Sequence, residues 1–360
     1  DGQRYKRCRV QLHAKGVVLR DVALGLDIKT KRQQVCNAGE FLVAEIDAKM
    51  GGFGMVPEQL EGAIVSSHYF LFEVDETALD RRFLDYFCCS EKFRGQVEAQ
   101  GSTNYAAIRP ADVLGYSIPL PTIAEQQVIV ARFDQLADKV QQVNEHLDAA
   151  EANAANLLAV QFREAIKNAP LRKMSEIAPA VRRPVQLDIS SRYREVGARS
   201  FGKGLFVKPD FDGAEATWQK PVWIEEGDLV LSNIKAWEGA IAIAGKEHSD
   251  CIASHRYITC VPDENYATAA FLAYFLLSPD GLEKIGFASP GTADRNRTLS
   301  LTNLGKIEVP LPPLNIQHEF NSLQAKIAEL KAKHTKIRAA NQALIPATLE
   351  RLFSNQSLRV

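Results

Sequence analysis

Two stretches decide how this chain folds: "SIPLPTIAEQQ", residues 117–127, and "EVPLPPLNIQH", residues 308–318. Each closes a short apolar run with Pro-Leu-Pro and passes at once into a polar, glutamine-bearing segment. Proline has no N–H and biases its predecessor away from helix, so each stretch reads as a strand end followed by a fresh element. The same punctuation occurring twice asks whether the whole chain is duplicated.

It is. Shifted by 188, Tyr5 falls on Tyr193 and "AKG" (14–16) on "GKG" (202–204). "GEFLVAEIDAKMG" (39–51) falls on "GDLVLSNIKAWEG" (227–239), "IVSSHY" (64–69) on "IASHRY" (252–257), and "FLDYFCCS" (83–90) on "FLAYFLLS" (271–278). Small insertions then move the register to 191, where Pro119 and Pro121 meet Pro310 and Pro312. Within one copy, "FLVAEI", "AIVSSHYFLFEV", "DLVLSNI" and "RYITCV" are β-branched and aromatic runs of strand length. "DRRFLDYFCCSEKFRGQVEAQ" has helical apolar spacing.

Each Pro-Leu-Pro leads into a long helix. Ile129, Phe133, Leu136, Val140, Val143 and Leu147 alternate in steps of four and three, and Phe320, Leu323, Ile327, Leu330, Ile337 and Leu344 follow the same rhythm in the second copy. This is the heptad seam of a coiled coil, with His334 and Asn341 as polar seam positions. Pro346 is expected to end or kink the second helix. About 40 residues of helix span roughly 60 Å. The expected fold is therefore mixed α+β: two duplicated α/β domains separated by two long helices that pair as an antiparallel coiled coil with pseudo-twofold symmetry. The expected boundaries are 1–121 for the first domain, 122–170 for the first helix, 171–312 for the second domain and 313–360 for the second helix.

Composition excludes little. A charged fraction of 24% and a formal net charge of -1 are those of an ordinary globular protein, so a nucleic-acid binder of this kind must gather its basic residues locally. Six cysteines, without metal-ligand spacing, suggest reduced structural thiols and a cytoplasmic setting. No apolar run suits a membrane span, and no signal peptide is visible. Phosphate-loop, zinc-protease and nucleophile-elbow motifs are missing. "MGGFGM" (50–55) looks like a cofactor glycine loop, but its repeat partner "EGAIAI" keeps only the first glycine, so Gly52 and Gly54 read as turn residues. No catalytic, cofactor or metal residue is expected in the chain.

The polar loops offer more. Lys15 and Lys203 sit at matching positions beside Gly16 and Gly204, where a backbone can approach phosphate. His68, His255 and Arg256 lie in the two "SSHY" and "SHRY" turns. Ser102 and Asn104 belong to one glycine-led loop; Thr292, Arg295, Asn296 and Arg297 belong to its counterpart, and Arg182 and Arg183 are further candidates. Arginine and asparagine read guanine and adenine edges, while lysine and hydroxyls suit phosphate. Taken singly, each loop is most simply a solvated turn; carried on duplicated domains, the DNA reading gains weight.

The layout resembles the specificity subunits of type I restriction-modification systems. "PLPTIAEQQ" and "PLPPLNIQHEF", the ending "ALIPATLERLF" (343–353), and the glycine-led hydroxyl loops before "DVLGYSIPLP" and "NLGKIEVPLP" carry the resemblance. It implies that each globular domain binds half of a bipartite double-stranded DNA target and that the helices set the distance between halves. It further implies two modification subunits bringing S-adenosylmethionine for adenine N6 methylation, and restriction subunits using ATP and Mg. This chain would then be a non-catalytic scaffold. "LRKMSEIAPAVRRPVQLD" (171–188) precedes the second copy without a counterpart before the first, so a first domain incomplete at its amino terminus is expected. The alternative is a scaffold whose duplicated domains bind protein or glycan.

Overall fold

A computed structural model of the chain describes residues 2–30, 32–97, 107–215, 220–291 and 297–354. Two compact units emerge: unit 1 comprises residues 1–149 with 333–360, and unit 2 residues 150–332. Both long helices therefore contribute to both units.

Unit 1 contains β1 (Arg4–Val10), β2 (Val17–Leu24), β3 (Gln33–Val35), β4 (Phe41–Ala44), β5 (Phe53–Met55), β6 (Ile64–Ser66) and β7 (Tyr69–Phe72), then α1 (Arg81–Cys88), α2 (Glu91–Arg94), α3 (Pro110–Leu114) and the first part of α4 (Ile123–Ile166). The strands make a four-stranded mixed sheet, β2-β1-β6-β3, and a three-stranded antiparallel sheet, β5-β4-β7. Strand β4 explains the pairing of layers. All four of its residues are buried, and side chains alternate along a strand. Phe41 and Val43 face the helices, while Leu42 and Ala44 face the other sheet.

Unit 2 repeats the plan with one addition. Its elements are β8 (Leu171–Lys173), α5 (Met174–Ile177), β9 (Ala180–Val181), β10 (Arg192–Ala198), β11 (Leu205–Val207), β12 (Phe211–Asp212), β13 (Val222–Trp223), β14 (Leu229–Ser232), β15 (Ile241–Ile243), β16 (Cys251–Ala253), β17 (Tyr257–Cys260), α6 (Ala269–Leu277), α7 (Pro279–Ala288), α8 (Leu301–Gly305), β18 (Glu308–Pro310) and α9 (Leu314–Ser354), whose first part lies here. One sheet runs β11-β10-β16-β13, with β12 also on β10. The other runs β15-β14-β17-β9, where β9 adds a fourth strand, and β8 pairs with β18.

The Pro-Leu-Pro junctions owe their sharpness to a buried amide. Gln126 and Gln317 are both wholly shielded from solvent. The Asp80 N–H donates to Gln126 Oε1 (2.8 Å), and Gln126 Nε2 donates to the carbonyls of Ala78 (2.9 Å) and Pro121 (2.8 Å). In unit 2 the Thr268 N–H donates to Gln317 Oε1 (3.0 Å), and Gln317 Nε2 donates to the carbonyls of Tyr266 and Pro312, both at 2.8 Å. One buried side chain thus satisfies three backbone groups that a proline-broken strand and an irregular turn leave without partners. The first helix has a second device. Thr122 and Glu125 form a capping box: the Thr122 N–H donates to Glu125 Oε2 (2.8 Å) and the Glu125 N–H to Thr122 Oγ1 (3.4 Å). The second helix has Pro313 at the matching place.

Within unit 1, α4 and the last part of α9 run antiparallel. Arg338 donates to Asp148 Oδ1 (2.7 Å) and Asn341 to Asn144 Oδ1 (3.3 Å), so residues advancing along one helix meet residues receding along the other. Leu349 and Phe353 join Val130 and Phe133 in the unit 1 core. Within unit 2, Phe162 of α4 packs on Phe320 of α9, ring centroids 5.4 Å apart.

The expected heptad seam drifts away from the contact face. Phe133, Leu147, Phe320 and Ile327 are buried, and Ile129, Leu136, Val140, Leu323 and Leu330 half-buried. Val143, Ile337 and Leu344 instead stand 39%, 41% and 41% exposed; Asn144, Arg338 and Ile345 take the inward places. On α9 the inward positions run Ile327, Leu330, His334, Arg338, Asn341, Ile345 and Leu349, in steps of three, four and four. That eleven-residue rhythm stays close to the natural helical period, whereas a strict heptad slips by about 20° each repeat on an unsupercoiled helix. Pro346 likewise does not end α9, which continues to Ser354. A proline inside a helix costs about 3 kcal/mol, but fully burying Leu349 and Phe353 returns about 1.5–3 kcal/mol each. The core holds the last turns.

Candidate nucleic-acid interface

The loops between strands are brought together by main-chain bonds that recur in the two units. In unit 2 the Asn233 N–H donates to the Arg256 carbonyl (2.7 Å) and the Leu299 N–H to the Asn233 carbonyl (2.7 Å). Asn233 Nδ2 adds a bond to the Leu299 carbonyl (2.9 Å). On the other side of the same turn, the N–H groups of Phe201 and Gly202 donate to the carbonyls of Glu238 and Gly239, both at 2.8 Å. Segment 233–239 is therefore flanked by the 199–204 loop, the 254–257 turn and the end of the 289–299 loop.

Unit 1 repeats each main-chain bond. Glu45 N–H donates to the His68 carbonyl (2.9 Å), Ile108 N–H to the Glu45 carbonyl (3.0 Å), and His13 and Ala14 N–H to the carbonyls of Met50 (2.7 Å) and Gly51 (2.9 Å). Even the backbone strain is shared. His13 and Phe201 both adopt φ of 63°, a left-handed conformation that side chains other than glycine seldom take. Gly51 lets the loops meet: with φ of 77°, a Cβ there would come within 2.6 Å of the Ala14 nitrogen. Gly54 does the same for β5, where a Cβ would lie 2.7 Å from the Gly16 Cα. The "MGGFGM" glycines thus serve close backbone approach.

Side chains on this common frame differ. In unit 2 the corner is cationic and aromatic. Lys203 Nζ lies 5.8 Å from the ring centre of Phe201, itself 75% exposed. Lys235 and the Arg297 guanidinium lie 5.2 and 4.8 Å from the Trp237 ring centre, and Arg297 also donates to the Gly286 carbonyl (3.1 Å). His255 and Arg256 are exposed, and Arg182 donates to the His255 carbonyl (3.4 Å). Glu238 tempers the charge. The hydrogen bond from Lys235, with a smaller one from Ser200, holds its carboxyl below the usual range, so it stays ionised. In unit 1 the places of Asn233, Lys235 and Arg256 are taken by Glu45, Asp47 and His68, and His68 Nδ1 pairs with Glu45 at 2.7 Å. Lys15 is exposed on the loop matching that of Lys203.

Arg183 stands apart from the candidates. Its guanidinium grips Asp228, which is 2% exposed, through bonds of 2.8 and 3.1 Å, and pairs with Glu225 at 3.1 Å. A buried carboxylate claims this arginine, so it is a structural ion pair and not a free basic group. Ser102, Asn104, Thr292, Arg295 and Asn296 lie outside the described residues. Asn233, Lys235 and Trp237 were missed from the sequence; they lie in "GDLVLSNIKAWEG", whose alignment with "GEFLVAEIDAKMG" shows polar positions changing inside a constant glycine frame. Among the described residues no group of histidine, cysteine, aspartate and glutamate could hold a metal, and all six cysteines are free thiols. No helix among them is long and apolar enough to cross a membrane.

Residues 21–152 match the family model of the type I restriction modification DNA specificity domain. The match is to that domain and spans a little over a third of the chain. The duplication carries the same fold plan into unit 2, beyond the matched span. Solved structures share the fold. The HsdS subunit of Thermoanaerobacter tengcongensis aligns over 95% of this chain and 87% of its own, at TM-score 0.57 and 20% identity. A chain from a structure on complex assembly and conformational transition of the type I restriction-modification system aligns over 92% of this chain and 86% of its own, at TM-score 0.65 and 21% identity. No curated protein sequence matches the chain.

Proposed function

We propose that this chain is a specificity subunit of a type I restriction-modification system and reads a bipartite double-stranded DNA target, one half with each unit. The observation that supports this most is the repeated corner, one hydrogen-bonded frame carrying different polar side chains in the two units. Lys203 and Lys235 would hold phosphates, and Arg256, His255 and Arg297 would face base edges, with Trp237 stiffening Arg297 by stacking. In unit 1, Lys15 and the His68–Glu45 pair occupy the corresponding frame, and a different pattern of donors and acceptors suits a different half-site. The helices α4 and α9 would set the separation of the halves, because half-site spacing follows the separation of reading surfaces.

The chain would contribute no catalytic group. Two modification subunits would bring S-adenosylmethionine and methylate adenine N6, and restriction subunits would use ATP and Mg. The test is co-expression with the neighbouring modification subunit in a methylation-free host, followed by genome-wide mapping of N6-methyladenine. A bipartite motif that vanishes when this chain is omitted is expected. Arg256→Ala together with Lys203→Ala should weaken or relax one half of that motif only. Methylation unchanged by omission of the chain would overturn the proposal, and relaxation of both halves by the double variant would overturn the assignment of one half to each unit.

A further inference from the structure

The strained loop tips share a feature that the folding of the frame does not call for. The stretches "HAKG" (13–16) and "FGKG" (201–204) occupy equivalent places, and each begins with a planar ring two residues ahead of a lysine. Among the described residues only four other than glycine have positive φ, and three lie here: His13 at 63°, Ala14 at 54° and Phe201 at 63°. With Gly202 at 64°, both tips have two successive left-handed residues. A bulky side chain is strained in that conformation. Nor is the ring buried: Phe201 is 75% exposed, and His13 is exposed.

The surroundings hold both tips nevertheless. The Arg199 N–H donates to the Gly204 carbonyl (3.0 Å) and the Gln11 N–H to the Gly16 carbonyl (2.8 Å), closing each loop at its base. The bonds from Phe201 and Gly202 to the 238–239 turn, and from His13 and Ala14 to the 50–51 turn, pin the tips themselves. Strain and a solvated aromatic face both disfavour folding, and such a position persists only where its neighbours over-determine it, as at functional sites. Cations accompany the ring in unit 2. Lys203 Nζ lies 5.8 Å from the Phe201 ring centre, and the Arg199 guanidinium 4.6 Å from that of Phe206. The Glu238 carboxylate, which accepts from Ser200 Oγ (3.0 Å), is paired with Lys235 at 2.5 Å.

We propose that Phe201 and His13 are wedges: in each half-site the ring enters one base step and stacks on the base face opened there, while Lys203 or Lys15 takes the adjoining phosphate. The inference rests on the DNA reading above and adds to it a local distortion of the duplex. A wedge unstacks one step, and pyrimidine–purine steps open most easily. Each half-site therefore holds such a step under the ring, recognised by its deformability and not by hydrogen bonds. A tip fixed before binding needs no ordering when the ring enters the stack, and the pinned backbone supplies that.

The test uses the chain assembled with its modification subunit, and duplexes of the methylated motif with 2-aminopurine replacing successive purines outside the methylated adenine. Fluorescence should rise at one step in each half. Phe201→Gly should abolish the rise in the half read by unit 2 alone and weaken binding about tenfold, the scale of one lost base–aromatic stack. Phe201→Tyr should keep both, and His13→Gly should act on the other half. Glycine adopts a φ of 63° without strain, so Phe201→Gly should not lower the unfolding midpoint. A lowered midpoint would mean that the ring serves the fold, and overturns the proposal. Binding of the motif with no rise at any step, or undiminished binding by Phe201→Gly, overturns the wedge and leaves the DNA reading standing. No binding of the motif by the parent assembly overturns both.

Discussion

Gln317 is a polar residue doing the work of a core residue. Its amide answers the Thr268 N–H and two carbonyls in a place water does not reach. Gln317→Leu keeps the volume and orphans those groups, each worth about 1–3 kcal/mol, so a loss of about 2–4 kcal/mol is expected in urea unfolding. All three tryptophans fall within unit 2, so their fluorescence follows the affected unit. Two arginines separate structure from recognition. Arg183→Ala strands the buried Asp228 carboxylate and should cost about 3–5 kcal/mol. Arg256→Ala, at an exposed turn, should change stability by less than about 0.5 kcal/mol while weakening methylation of one half-site about ten- to hundredfold. A similar stability loss for both would remove the distinction.

At the scale of elements, Pro346 is the clearest test of packing against propensity. Pro346→Ala restores a helical N–H and should stabilise the chain by on the order of 1–3 kcal/mol, read as a higher unfolding midpoint. A lower midpoint would show that the proline ring itself packs. The same residue illustrates what a sequence conveys. Pro-Leu-Pro and the paired glycines announced the duplication because local backbone chemistry dictates them. The heptad reading held near Phe133 and Phe320, where the helices pack on their own units, and slipped at Val143, Ile337 and Leu344, because seven residues do not close on a helix of 3.6 per turn. Arg183 looked like Arg182 in sequence; only the approach of Asp228 from 45 positions away tells them apart. The glutamine-rich helix starts were visible, but the buried amide's partners belong to a turn nearly 50 residues upstream.

For the molecule as a whole, the eleven-residue rhythm of α9 predicts how the proposed spacing can be changed. Removing eleven residues from α4 and a facing eleven from α9 keeps the inward face aligned and shortens the pair by about 16 Å. That is about five base pairs at 3.4 Å each, so the gap in the methylated motif should contract by that amount with both halves intact. A changed half-site with an unchanged gap would refute the spacing role. The way the units are assembled from the chain also sets an order of events during synthesis. Unit 2 is one uninterrupted stretch and can complete itself while the ribosome is still at work. Unit 1 cannot, because Phe353, packed 5.7 Å from Phe83 and 5.0 Å from Phe87, is made only after all of unit 2. A chain released before α9 is complete would carry a finished second unit and a first-unit aromatic core open to proteases, so the unit that is begun first is closed last.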